Sequence, residues 1–136
     1  MISNPKHGWC NFQIGDFKGT PSYLTNVPLD LLEAFINYYL LGYGVVVFDE
    51  EGSLFTLVLS KYFSEIFIIE EKDKPILHDF SSYYVENLAK ELIKDIKNDL
   101  TGWSEFYGYD HREEIIYQRD TLRDKIVKLE KLLEET

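Results

Sequence analysis

The chain has 136 residues, 45% hydrophobic and 15% aromatic, with a formal charge of −10 from 24 acidic and 14 basic side chains. That length and apolar content support a buried core and exclude an intrinsically disordered chain. One cysteine, Cys10, excludes an intramolecular disulfide. The acidic excess argues against nucleic acid and anionic membranes as partners, because both are held by clustered Lys and Arg.

Residues 1–10 hold no apolar run of the kind a secretory signal needs. The longest apolar stretch, 34–48, is broken by Asn37, Gly42 and Gly44, too short and too interrupted for a membrane span. The expectation is a cytoplasmic protein forming one domain over residues 1–136.

Residues 8–14 alternate, with Cys10, Phe12 and Ile14 to one side and Asn11 and Gln13 to the other, the period of a half-buried strand. Gly15-Asp16 and Gly19-Thr20-Pro21 read as turns, followed by a short second strand over 22–25. Asn26 then suits a helix cap, with Pro28 in the first turn where a missing N–H is harmless. The spacing predicts a helix over 28–41, with Leu29, Leu32, Phe35, Ile36, Tyr39 and Leu40 as its core stripe. Asp30 and Glu33 suit its positive end, and Gly42 and Gly44 stop it.

An antiparallel meander of three or four strands follows. Residues 45–48 are continuously apolar, which predicts a strand covered on both faces. The next strands span 54–59 and 63–69, with reversals at Glu51-Gly52, Lys61-Tyr62 and 71–74. Residues 75–80 form a short edge strand, since Pro75 cannot donate to a central ladder. A second helix over 82–100 carries Val85, Leu88, Ala89, Leu92, Ile93 and Ile96 on one face. An aromatic loop over 101–109 leads to a third helix from Asp110, with Glu113 at capping-box spacing and an apolar row through Leu122, Ile126, Leu129 and Leu133. The expected fold is α+β: an antiparallel meander sheet of four to six strands with three helices packed on it.

Catalytic residue types are sparse. Cys10, His78 and Asp79 could form a nucleophilic triad, yet Cys10 shares its strand face with Phe12 and Ile14, where a core thiol is the simpler reading. The acidic clusters fall at turns, where solvated carboxylates keep no raised pKa for acid catalysis. Residues 49–52 lack the alternating oxygen ligands of a calcium loop, and His78-Asp79 and Asp110-His111 each lack a third metal ligand. Gly42-Tyr43-Gly44 follows a helix, the reverse of a phosphate-cradling loop, which opens one. No catalytic residue, metal or cofactor is expected.

What remains is surface. Asp49, Glu50 and Glu51 cluster at one hairpin tip, and Glu70, Glu71 and Asp73 at the next reversal but one. Alternate reversals of a meander fall at one end of the sheet, so the two clusters are expected to share an end. In the aromatic loop, Trp103 and Phe106 are assigned to the core, whereas Tyr107 and Tyr109 join the acidic residues as candidates for binding a partner.

The stretch Gly19-Thr-Pro-Ser-Tyr-Leu-Thr-Asn-Val-Pro-Leu-Asp-Leu-Leu-Glu-Ala-Phe35, with Phe48-Asp-Glu-Glu-Gly52, resembles small bacterial immunity proteins of polymorphic toxin systems. The resemblance implies a small, cytoplasmic, acidic inhibitor that binds a cognate toxin, and it carries over no site residue. Independently, a nuclease toxin must present basic groups to hold phosphate, and an acidic face can occupy them. The leading expectation is therefore a non-enzymatic protein-binding domain that neutralises a basic, nuclease-like toxin. One alternative is a homodimeric scaffold or regulatory module using the C-terminal helix, whose 4-3-4 apolar spacing suits a coiled-coil seam. Another is a small-ligand binder or enzyme around Cys10 and His78.

Overall fold

Asn26 caps the first helix, α1 (Val27–Leu41), its side-chain oxygen accepting from the Leu29 N–H at 3.4 Å, and Pro28 sits in the first turn. The computed structural model describes residues 1–106 and 111–136. Three strands precede α1: β1 (Ile2–Lys6), β2 (Trp9–Ile14) and β3 (Phe17–Gly19), an antiparallel sheet in that order. Four follow it: β4 (Tyr43–Asp49), β5 (Leu54–Ser60), β6 (Glu65–Glu71) and β7 (Ile76–Asp79), a second antiparallel sheet in chain order. Three further helices, α2 (Val85–Asn98), α3 (Leu100–Glu105) and α4 (Arg112–Glu134), complete the described residues.

The α+β class holds. The single meander with three helices gives way to two sheets and four helices among the described residues. β1 breaks the alternation that would betray it: Asn4 has a φ of 53°, Pro5 donates nothing, and the register to β2 shifts between Ser3 and Lys6. Phe17–Gly19 pairs with β2, and the strand expected over 22–25 reduces to one bridge between Trp9 and Ser22. The chain leaves extended geometry there to reach the Asn26 cap. α2 ends at Asn98, and the Asp99 carboxylate accepts from the Gly102 N–H at 3.0 Å to start α3 where a loop was expected. Trp103 and Phe106 are buried, as expected. Asp110 of the expected capping box lies outside the described residues, and His111 stands at the N-cap of α4 without a side-chain bond.

α1 packs chiefly on β4 and α4, and also touches α2 and β5. Leu31 and Leu32 are both fully buried in consequence, while Leu40, expected in the core stripe, is exposed. α4 packs on α1 and α3 rather than on a sheet. Its row Leu122, Ile126 and Leu129 is buried inside the domain, so the seam expected to serve a homodimer is already occupied. The buried Gln118 of α4 and Asn26 exchange two amide hydrogen bonds, 2.9 and 3.2 Å, which tie the start of α1 to α4. The two sheets meet through Phe12, Phe17, Phe48 and Phe55. Phe55 stacks on Phe48 at 4.6 Å and meets Phe17 and Phe12 at 5.1 and 5.3 Å.

Asp30 provides a pH test of this packing. Burial, reinforced by the Glu33 carboxylate, pushes its pKa up to about 6. A raised carboxyl pKa means the folded state binds the proton more tightly, so stability falls as pH rises through roughly 4 to 6. Partial exposure and the helix dipole moderate the penalty. Asp30→Asn is expected to stabilise the fold by about 1 kcal/mol at pH 7, a few degrees in Tm, with the gain gone at pH 3.5. Thermal melts at both pH values check this; an equal gain at both would place the effect outside ionisation.

Candidate binding surface

In a strand, successive side chains alternate between faces, and pairing carries that alternation across the sheet. Val46 and Phe48 of β4, Phe55, Leu57 and Leu59 of β5, and Ile66 and Ile68 of β6 face inward and are buried. The other face carries Tyr43, Val45, Val47 and Asp49 on β4; Leu54, Thr56, Val58 and Ser60 on β5; and Glu65, Phe67, Ile69 and Glu71 on β6. Leu77 and Asp79 extend it on β7, opposite Ile69 and Phe67. None of these residues is buried. The continuous apolar run at 45–48, expected to be covered on both faces, is covered on one. Val45 and Val47 are 52% and 45% exposed and Leu77 62% exposed, which leaves an apolar strip across all four strands.

The charges on this face are of one sign. Asp49 and Glu71 flank Leu54 at one end, two strand spacings or roughly 10 Å apart. Glu65 and Asp79 stand toward the other end, and no strand residue of the face is Lys or Arg.

The hairpin tips at 50–53 and 72–75 lie at the Asp49 end, as the meander requires, so the two acidic clusters are brought to one end of one sheet. They are not equally available. Glu50 accepts from the Thr20 N–H at 2.8 Å and from the Ser53 hydroxyl at 3.1 Å, tying this hairpin to the segment after β3. One Asp49 oxygen accepts from the Glu51 N–H at 2.7 Å. Glu70 accepts from His78 Nε2 at 2.6 Å and from Lys72 Nζ at 3.0 Å. The His78 bond first, and then the Lys72 bond, hold its carboxyl below the ordinary carboxylate range. Glu51, Glu71 and Asp73 are exposed, and with Asp49 they form the open part of the cluster. Tyr107 and Tyr109, the remaining candidates, lie outside the described residues.

The alternative centre does not assemble. Cys10 is buried with its thiol directed at the Pro21 carbonyl oxygen, 3.7 Å away, and burial pushes its pKa up to about 12. A thiol so held supplies almost no thiolate at neutral pH. His78 is engaged elsewhere, by Glu70 and by the Phe17 ring at 4.9 Å. Asp79 projects to the opposite face of β7 and bonds Ser81 instead. Among the described residues no group of three His, Cys, Asp or Glu side chains could hold a metal ion, and no helix is long and apolar enough to cross a membrane.

The apolar strip is the part of this surface that sequence reading missed. Its signal was present in the odd positions Tyr43, Val45 and Val47, masked by equally apolar even positions. No protein-family model matches the chain, and no curated protein or solved structure is detectably similar to it.

Proposed function

We propose that the chain is a non-enzymatic, immunity-type inhibitor acting in the cytoplasm, which binds a basic toxin domain through the open face of its four-stranded sheet. The observation that carries this reading is the combination on one face: an apolar strip across four strands, bounded by carboxylates, with no Lys or Arg among the strand residues of that face. An apolar centre with a charged rim is the anatomy of a protein-binding surface, the centre giving affinity and the rim giving orientation. A long-range field of the same sign, −10 overall, would draw in a basic partner. Asp49, Glu51, Glu71 and Asp73 supply the rim at the hairpin end. Glu50 and Glu70 hold the hairpins in place.

The test is binding and neutralisation of a basic toxin domain encoded beside this chain. Charge reversal at Asp49, Glu51 and Glu71 should slow association about tenfold or more at low salt and flatten its salt dependence. Val47→Asp should chiefly speed dissociation by placing a charge in the apolar strip. Association rates unchanged by charge reversal would remove the acidic end from the interface, and absence of binding to such a toxin would overturn the reading.

A further inference from the structure

Sheets leave unpaired N–H and C=O groups along their outer strands, and proteins guard such edges with proline, charge, bulges or brevity. Three of the four edges here are guarded. β1 carries Pro5, Lys6 and a register shift; β3 is three residues long with Lys18 at its centre; β7 has four residues and follows Pro75. β4 has none of these devices: α1 packs along it on the side that Gly44 faces, while Tyr43, Val45 and Val47 on the other side stay exposed. It is seven residues long, and the sequence of its free portion, Tyr-Gly-Val-Val-Val, holds no charge and no proline.

The hydrogen bonds at its ends fix which groups face outward. The Gly42 carbonyl accepts from Lys61 and the Glu50 N–H donates to Ser53, so even-numbered residues bond toward β5. The Asp49 carbonyl points the other way and accepts from the Ser22 N–H at 2.8 Å. The backbone groups of Tyr43, Val45 and Val47 therefore face outward, and among the described residues no backbone hydrogen bond reaches them. α1 closes one end of this open edge and Ser22 the other.

We infer that β4 is a self-pairing edge, joining two copies of this chain antiparallel about Val45 into one eight-stranded sheet. The open stretch is symmetric about that residue. With Val45 opposite Val45 of a second copy, Tyr43 meets Val47 and Val47 meets Tyr43. Each of these pairs exchanges two backbone bonds, so all six free groups of each copy are satisfied at once. The side chains cooperate: Tyr43 opposite Val47 is an aromatic and β-branched pair, a combination favoured across strands. The like charges stay apart, because the two Asp49 residues fall roughly 27 Å from each other at opposite ends of the joined strands. This pairing is independent of the inhibitor reading and needs no toxin. A single-strand interface is small, so the dimer is a weak one that grows with concentration. Screening the −10 charge of each copy strengthens it, whereas a complex with a basic partner weakens as salt rises.

Sedimentation velocity of the full chain, without partner, over about 5 to 500 µM at low and at 0.5 M salt tests the inference. Twice the monomer mass should appear with rising concentration, and more readily at high salt. Val45→Lys sets two ammonium groups opposite each other and should weaken association at least tenfold. An equimolar mixture of Val45→Lys and Val45→Glu chains should restore it, which a merely destabilised strand would not do. Val127→Lys, at a position on α4 that is 64% exposed, should change nothing. Should either Val45 variant fail to fold, hydrogen exchange on the unaltered chain takes its place: Val45 and Val47 amides should gain protection with concentration. A chain that remains monomeric throughout overturns the inference. So does a dimer that ignores Val45→Lys, or one in which these amides exchange as fast as in the monomer.

Discussion

Gly44→Ala is expected to destabilise the fold by about 3 kcal/mol or more, leaving little folded protein at physiological temperature. A Cβ at Gly44 would lie 2.1 Å from the Ala34 carbonyl oxygen and 2.7 Å from its carbonyl carbon. Both atoms belong to the backbone of α1, so no rotamer change relieves the contact. Helix and strand must separate by about an ångström, and the close-packed layer between them opens along its length. Gly42→Ala is the instructive comparison. Gly42 ends α1 with a φ of 89°, where a side chain is strained, and its added Cβ would press on the Tyr62 ring. That ring is on an exposed side chain that can swing away, giving up only a solvent-exposed 3.3 Å bond from its hydroxyl to the Leu41 carbonyl oxygen, so the expected loss is about 1 kcal/mol, chiefly from backbone strain. Urea unfolding of both variants measures the difference. Equal losses would mean that the helix–strand approach does not set the requirement at Gly44.

The same pair of glycines shows what could be read from sequence. As punctuation both were legible, and the boundary between α1 and β4 follows. Their different reasons were not, because one answers to local backbone geometry and the other to a helix packed from the far side. The four-stranded meander was legible because its reversals, strands and Pro75 edge are all local signals. The three-stranded sheet was not. Asn4, with its positive φ, and Pro5 erase the alternation of β1, and β3 is too short to show a period. The acidic cluster followed directly from topology, since alternate reversals of a meander must share an end. Its division into open carboxylates and internally bonded ones depends on Thr20, Ser53 and His78, which approach from elsewhere in the chain. For β4, composition concealed exposure: Val45 and Val46 are chemically alike, and only the placement of α1 decides which of them is buried.

Phe55→Ala should cost about 3–5 kcal/mol, and the loss should not be spread evenly over the molecule. Phe55 is 1% exposed, its ring touches Phe12, Phe17 and Phe48, and Gly19 leaves room for it: a Cβ there would stand 2.5 Å from the ring. Three of these four neighbours belong to the three-stranded sheet, so Phe55 is a main grip between the sheets, beside the Phe12–Phe48 contact at 4.8 Å. Truncation should raise hydrogen exchange in β1, β2 and β3 first, while β5 and β6 keep more of their protection. The hairpin end should follow, because the Glu50 carboxylate reaches its Thr20 partner only while β3 is docked. Phe55→Leu, which refills most of the space, should recover more than half of the loss. Uniform exchange in Phe55→Ala would show that the two sheets unfold as one unit. The neighbouring open-face residues Leu54 and Thr56 point away from this cluster and are only half-buried, so substitutions there should cost far less stability than Phe55→Ala and, on the proposed function, alter partner binding. Comparing the two sets separates the proposed binding surface from the core that positions it.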